Sequence, residues 1–310
     1  MSTSIIKPTT ITDSMLVSSS AAETDYPVWA TWGTYAVGDK RIMTTGIHNV
    51  YECLVAHTAT TSADAPNLNT ATATPHWLEL SPTNRWAMFD RKVGTITSVA
   101  SPLTVVLTPG RFNSIAFMGM VGRSVHVLVK SEVGGEVIYD RTLSLDHTYI
   151  SDIYDWFFLD YEQTGEINFL GIPDQYVSPE LTITVSASTG NVECGIASIG
   201  MATTIGMAQY GAKAGVTDYS VKVADAFGNY DVVERKYSKR ASFNVITSAS
   251  DFTKVHRFLA GIRATPCVYI AVDSQEGYEP LSVYGFWKSF DIDIAYPTHH
   301  VCSLEIEEIK

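Results

Sequence analysis

Along most of the chain apolar and polar residues alternate with period two, and the apolar positions carry β-branched and aromatic side chains. Leu103, Val105 and Leu107 fall on one face; so do Val125, Val127 and Val129, then Leu181, Ile183 and Val185, then Tyr219, Val221 and Val223. Late in the chain Phe290, Ile292 and Ile294 alternate with Asp291 and Asp293, and Cys302, Leu304 and Ile306 with Ser303, Glu305 and Glu307. Successive side chains of a strand point to opposite faces, so this spacing predicts strands with one face in a core. Turn chemistry at Pro109-Gly110, Gly134-Gly135, Ser188 to Asn191 and Gly228-Asn229 joins antiparallel neighbours. One segment departs from the rule. Phe252, Val255, Phe258, Leu259 and Ile262 recur at helical spacing, which predicts one short helix from Asp251 to Ile262, capped within Thr247 to Asp251 and weakened at Gly261. The expected class is all-β, mainly antiparallel and multidomain.

A chain of 310 residues exceeds one minimal core. Four stretches are expected: an N-terminal arm (1–25), a small aromatic β module (26–85), a β-sandwich (86–205) and a C-terminal β-rich docking domain with the helix (206–310). The Thr/Ala-rich run from Thr58 to Thr74 reads as an extended loop of the module. The Gly-, Ala- and Met-rich stretch from Gly195 to Gly215 reads as a strand end followed by a flexible link.

With 45% hydrophobic and 17% charged residues the chain has material for buried cores. Its net charge of -12 argues against nucleic acid as a partner, because that affinity rests on Lys and Arg neutralising phosphates. Arg235, Lys236, Lys239 and Arg240 are the one basic cluster and read as a solvated hairpin face. Cys53, Cys194, Cys267 and Cys302 are far apart, lack zinc spacing and sit in apolar strand contexts, so buried thiols are expected. No apolar run is long enough for a spanning helix, so membrane insertion is not expected, and the N-terminus MSTSIIKPTTITDSM has no basic region followed by an apolar core. Synthesis in the cytoplasm follows.

The most specific local pattern is Trp29, Tyr35, Gly38, Asp39, Tyr51 and Trp77, in WATWGTYAVGD, HNVYECLVAHT and PHWLEL. Gly38-Asp39 makes a turn between two short strands, Tyr51 lies in the second with its ring inward, and Trp77 closes a third. A unit of this size has little core, so large aromatics supply most of its apolar burial. The arrangement resembles the small chitin-binding type modules of carbohydrate-active enzymes. That resemblance implies rings stacking on sugar faces and carries Trp29, Tyr35, Tyr51 and Trp77 as candidates, with Trp32 as an additional ring in the same turn. Ala56 to Pro75 lacks the aromatic residue that chitin binders often place there.

The following stretch, SPTNRWAMFDRKVGT, holds Asn84, Arg85, Trp86, Met88, Phe89 and Asp90. A Tyr-x-x-Gly-Asp module running into an Asn-Arg-Trp-x-Met-Phe-Asp segment and then a sandwich looks like structural proteins encoded in phage and prophage tail regions. The sandwich pattern resembles galactose-binding-like jelly rolls, and GNYDVVERKYSKRASFNV with YGFWKSFDIDIAYPTHHVCSLEIEEI resembles the closing β-domain of those phage proteins. Physically, Arg85 and Asp90 are expected to pair near Asn84 and fix the entry to the sandwich, with Trp86 and Phe89 plugging its open end.

The resemblance implies a virion tail component: a tail-tip, fibre-attachment or adaptor protein, homo-oligomeric as a ring or trimer, with other tail proteins and bacterial surface polysaccharide as partners. An architectural adaptor without glycan binding is the alternative. A polysaccharide-degrading enzyme is the third reading, since Asp152, Asp155, Asp160, Glu162 and Glu166 cluster in SDIYDWFFLDYEQTGE. Trp156, Phe157, Phe158 and Leu159 within it read instead as a buried sandwich strand. His299-His300 follows a turn, and His48, His57, His76, His126, His147 and His256 are scattered. Neither a metal nor a cofactor is expected, and no enzyme motif such as GxSxG or HExxH is present.

Overall fold

A computed structural model describes residues 2–146, 152–158, 163–224, 227–272, 279–294 and 296–309. The protein is all-β and antiparallel, with its strands in a nine-stranded sheet, a five-stranded sheet and several small ones. The predicted alternation sets the main core. Leu103, Val105, Leu107, Val125, Val127, Val129, Leu181, Ile183 and Val185 are all fully buried on the inner face of the five-stranded sheet. They meet Ile115, Phe117, Phe169, Ala197 and Ile199 of the nine-stranded sheet in one cluster, which makes this half a β-sandwich.

The other half closes on itself. Strands Ile196–Ala208, Ser2–Pro8, Cys267–Ile270, Ser282–Asp293, His299–Glu308 and Tyr237–Ser248 pair in that order. Met207 and Ala208 then pair with Ile246 and Val245, joining the first strand to the last. Six strands thus form a closed antiparallel barrel, which leaves no raw edge among them. Its interior gathers Ile5, Ile205, Phe243, Val245, Tyr269, Val283, Leu304 and Ile306. The predicted helix, Phe252–Gly261, packs Val255 and Leu259 into the same cluster and follows a one-turn 3-10 segment at Ala249–Asp251. Trp287 donates its indole N–H to the Leu259 carbonyl at 3.1 Å and so caps the helix end.

Strand Ile196–Ala208 belongs to both halves. On one edge residues 196–200 pair with Ser114–Met118 of the sandwich; on the other, Gly200 to Met207 pair with Ser2–Pro8. Asn113 fills the gap on the first edge: its side chain accepts from the Ala202 N–H at 2.6 Å and donates to the Ala202 carbonyl at 3.3 Å. Glycine is required where backbones crowd. A Cβ at Gly206, which has φ +149, would stand 2.1 Å from the Ile246 carbonyl oxygen at the barrel seam.

Several expectations change. The stretch from Gly195 to Gly215 is not a strand end with a flexible link, since Ile196–Ala208 is one 13-residue strand, and the boundary placed at 205/206 lies inside it. Glycine and alanine there permit the close strand approaches of a barrel corner. The first 25 residues are not a free arm: Ser2–Pro8 is a central barrel strand, and Leu16–Ser19 adds to the edge of the five-stranded sheet. Residues 153–158 form a short helix, not a buried strand, with Ile153, Tyr154 and Phe157 exposed. Ile153 and Phe157, four apart, share one helical face. The remainder of that expectation, including Leu159 and the Trp156 side chain, lies outside the described residues, as does His147. Tyr219, Val221, Val223 and Ile294 alternate as expected yet stand exposed.

All four cysteines are free and buried. Burial pushes the Cys267 thiol up to about 12 and the Cys302 thiol up to about 11. Among the described residues no helix is long and apolar enough to cross a membrane.

Candidate functional site

The aromatic module is a three-stranded sheet, Lys40–Ile42, Asn49–Cys53 and Trp77–Pro82, beside a two-stranded one, Thr34–Tyr35 with His57–Thr58. Gly38, at φ +87, and Asp39 make the turn the sequence predicts: Gly38 donates to the Cys53 carbonyl at 2.8 Å, and the Asp39 carboxylate accepts from the Ala36 N–H at 3.2 Å. Tyr35, Tyr51, Cys53, Ala59 and Trp77 form the core, with Trp29 and Met43 packed against it. Tyr35 meets Trp77 edge-on at 5.0 Å, and the Arg41 guanidinium lies over its ring at 5.3 Å. Burial, with the charge of Glu79, pushes the Tyr51 phenol up.

Candidate rings therefore divide. Tyr35, Tyr51 and Trp77 are at most 3% exposed and hold the core, so no face of theirs is free to stack on a sugar. This corrects the sequence assignment of these three as glycan contacts, because a unit this small spends its largest rings on its own interior. Trp29 is half-buried. Trp32 is 74% exposed.

The turn that carries Trp32 is pinned from both flanks. The Tyr35 hydroxyl donates to the Ala30 carbonyl at 2.7 Å and accepts from the Ala30 N–H at 2.9 Å. Trp32 donates its own N–H to the Ala59 carbonyl at 2.7 Å, and the Ala59 N–H donates to the Gly33 carbonyl at 3.0 Å. A Cβ on Gly33 would lie 2.4 Å from the Tyr35 hydroxyl, so only glycine fits beneath the turn. Within this frame Trp32 has φ +69, a left-handed conformation unusual for a bulky residue. Holding it costs on the order of 1–3 kcal/mol, which the surrounding bonds offset, and the ring is presented to solvent from a fixed backbone. Beside the turn, the Thr34 and Thr58 hydroxyls bond each other at 3.2 Å.

At the junction, Asn84 acts as a clamp. Its side chain donates to the Ser98 carbonyl at 3.0 Å and accepts from the Ser98 N–H at 2.8 Å. Arg85 and Asp90 do not form the expected pair. Arg85 donates to the Ala21 carbonyl at 2.8 Å and lies 3.8 Å from Glu23, while Asp90 accepts from Thr95 and from the Lys92 N–H. Asp90 is partly buried, which pushes its carboxyl up. The segment reaches back to the N-terminal residues because they lie against it, a proximity no local spacing encodes. Trp86 and Phe89 both join the sandwich core, Trp86 at 8% exposure.

Sequence reasoning missed the centre of this junction. His48 lies between two carboxylates, with Nδ1 2.7 Å from Glu23 and Nε2 2.9 Å from Asp13. Thr83 donates to the same Glu23 oxygen at 2.9 Å. Residues 13, 23, 48 and 83 share no motif, so no sequence signal points to the cluster.

Of the acidic cluster, Glu166 is ion-paired with Lys239 and Asp152 is exposed. The Asp155 side chain, Asp160 and Glu162 lie outside the described residues. No three His, Cys, Asp or Glu side chains gather as a metal site among the described residues. Comparison of the chain with protein-family models, curated proteins and solved structures returns no match.

Proposed function

We propose that this chain is a non-enzymatic structural component of a phage tail, a tail-tip, fibre-attachment or adaptor protein, that presents its aromatic module to glycans of the bacterial surface. The observation that carries the attachment reading is Trp32: an exposed ring in a left-handed turn, held in place by Tyr35, Gly33 and Ala59. A ring carried on a fixed backbone loses less conformational freedom on stacking against a sugar face than one on a mobile loop. The tail assignment rests on the resemblance of residues 26–90. Each contact would be weak, and several copies on one particle would combine them through effective concentration.

The test is a glycan array probed with the multimerised protein. Wild type is expected to bind a bacterial surface polysaccharide, and Trp32→Ala to lower the signal by about tenfold or more, roughly 1.4 kcal/mol per site. The Trp32→Ala fold should stay intact, since the side chain is outside the core. Binding to no glycan at all sinks the attachment reading, and absence of the chain from purified particles sinks the tail assignment.

An architectural adaptor without glycan binding is the second reading, and the exposed apolar residues of strands Val221–Ala224 and Tyr230–Val233 favour it. Under that reading Trp32→Ala leaves adsorption unchanged.

A further inference from the structure

The nine-stranded sheet has a second apolar face. Where strands Ser114–Met118 and Ile196–Ala208 pair, Ile115, Phe117, Ala197 and Ile199 turn into the sandwich. Alternation turns Ala116, Met118 and Ile196 the other way, into a small cluster with Ile6, Val268, Ile270 and Tyr284. Past the Met118–Ile196 pair the two backbones run on as Gly119 and Gly195, and the Gly195 N–H donates to the Gly119 carbonyl at 3.1 Å. A Cβ on Gly195 would stand 2.9 Å from the Met118 carbonyl oxygen, so this end of the sheet is bare backbone. Over it opens a cleft of about 310 Å³, lined by Met118 and Ile196, by Val93 and Ile96, and by Lys236 and Tyr237. That volume lies at the lower end of ligand pockets, roughly 300–1,000 Å³.

One wall, residues 93–96, is fixed at both ends. Asp90 accepts from the Thr95 hydroxyl at 2.7 Å and from the Lys92 N–H at 2.9 Å, which closes the loop and engages both oxygens of that carboxylate. Just beyond, Thr97 donates to the Asn84 carbonyl at 2.7 Å and accepts from the Met88 N–H at 3.0 Å. A wall already in place costs little ordering when something binds against it. The lining side chains are apolar except Thr95, which Asp90 holds, the phenol of Tyr237, and Lys236, the one charged residue that lines the cleft. Lys239 is paired with Glu166, whereas Lys236 is exposed and forms no ion pair among the described residues. A lysine lays its stem along apolar surface and keeps its ammonium at the mouth. The complementary occupant has an apolar body for the interior and an anion at the rim.

We propose that this cleft binds a small amphipathic carboxylate, a medium-chain fatty acid, with its chain against Met118, Ile196, Val93 and Ile96 and its carboxylate at Lys236. The site shares no residue with the Trp32 turn and does not depend on glycan attachment.

Methyl NMR of the full chain, titrated in turn with octanoate, octanol and octylamine, tests it. Octanoate is expected to give saturable shifts at the methyls of Val93, Ile96, Met118 and Ile196, with octylamine binding weaker by about fivefold or more, since the charge at the rim favours the anion. Lys236→Ala changes an exposed position, so the fold should be unaffected. It should weaken octanoate by about fivefold and leave octanol within about twofold of wild type. Absence of saturable shifts at these four residues overturns the proposal, as do equal shifts at exposed apolar residues elsewhere, such as Val221 and Val223. Octylamine binding as tightly as octanoate, or Lys236→Ala weakening octanol as much as octanoate, overturns the assignment of the anion to Lys236 and the proposal with it.

Discussion

His48 stacks on Trp86 with ring centroids 4.2 Å apart and planes 19° from parallel, so the module's strand entry rests on a residue of the sandwich core. The His48 ring bridges two carboxylates, Nδ1 to Glu23 at 2.7 Å and Nε2 to Asp13 at 2.9 Å. The Glu23 side chain is only 7% exposed and is held by His48 and Thr83, with Arg85 3.8 Å away. His48→Ala removes the nearest polar partner of Glu23 and the stacked ring together. The expected loss is about 2–3 kcal/mol in urea unfolding, with the Trp86 fluorescence environment altered even in the folded state. An unchanged midpoint would show that Thr83 and Arg85 suffice for Glu23.

Asp13 makes the same junction sensitive to acid. The Gly46 N–H at 3.0 Å, with His48 alongside, holds its carboxyl below the ordinary value despite some opposing desolvation. A group with a depressed folded value stabilises the fold above the unfolded value and loses that contribution as pH falls through the folded one. The advantage of wild type over Asp13→Asn should therefore be full above the ordinary carboxylate range and fade as pH falls below it. Denaturant titrations of both proteins across this range measure it, and a difference that grows on acidification would contradict the assignment.

The two tryptophans of the module should separate fold from surface. Trp77 is fully buried against Tyr35, Tyr51 and Cys53. Trp77→Ala should destabilise by about 3–5 kcal/mol and unfold residues 26–82 first, seen as loss of amide protection there. Trp32→Ala removes an exposed ring from a left-handed position and should shift the midpoint by less than about 0.5 kcal/mol. Equal effects of the two would contradict the division of the rings.

How far the sequence reaches follows from the range of each interaction. Alternation at 103–107, 125–129 and 181–185 is a local signal, and it names the sandwich core because the strand period alone decides which side chains turn inward. The same pattern at 219–223 points to a face but does not say what covers it, and these residues stand exposed. The Gly38-Asp39 turn is legible because its left-handed glycine and its Ala36–Asp39 bond are local features, although Gly38 also donates to Cys53. The Glu23–His48 contact and the pairing of Ser2–Pro8 with residues 200–207 are not, because neither partner carries a pattern that anticipates the other. Trp32 is readable as an extra ring, but its exposure depends on bonds from Ala59, 27 positions away.

The barrel seam supplies the last prediction. Closure depends on the short pairing of Met207 and Ala208 with Ile246 and Val245, reinforced by the Thr247 hydroxyl donating to the Ile205 carbonyl at 2.7 Å. Gly206 stands between these contacts at φ +149, with the Ile246 carbonyl where a side chain would begin. Gly206→Ala must shift the seam or open it. Strain in the backbone alone costs roughly 1–3 kcal/mol, and displacement of Ile246 adds to it. Once the seam opens, strand Tyr237–Ser248 keeps its partners His299–Glu308 and Lys213–Asp218 and loses Met207 and Ala208, so the damage should be confined to the barrel. Hydrogen exchange should show faster exchange at 205–209 and 244–247, while the sandwich strands at 103–107 and 181–186 keep their protection. Loss of protection in both halves at once would mean that they unfold as one cooperative unit, coupled through the strand they share.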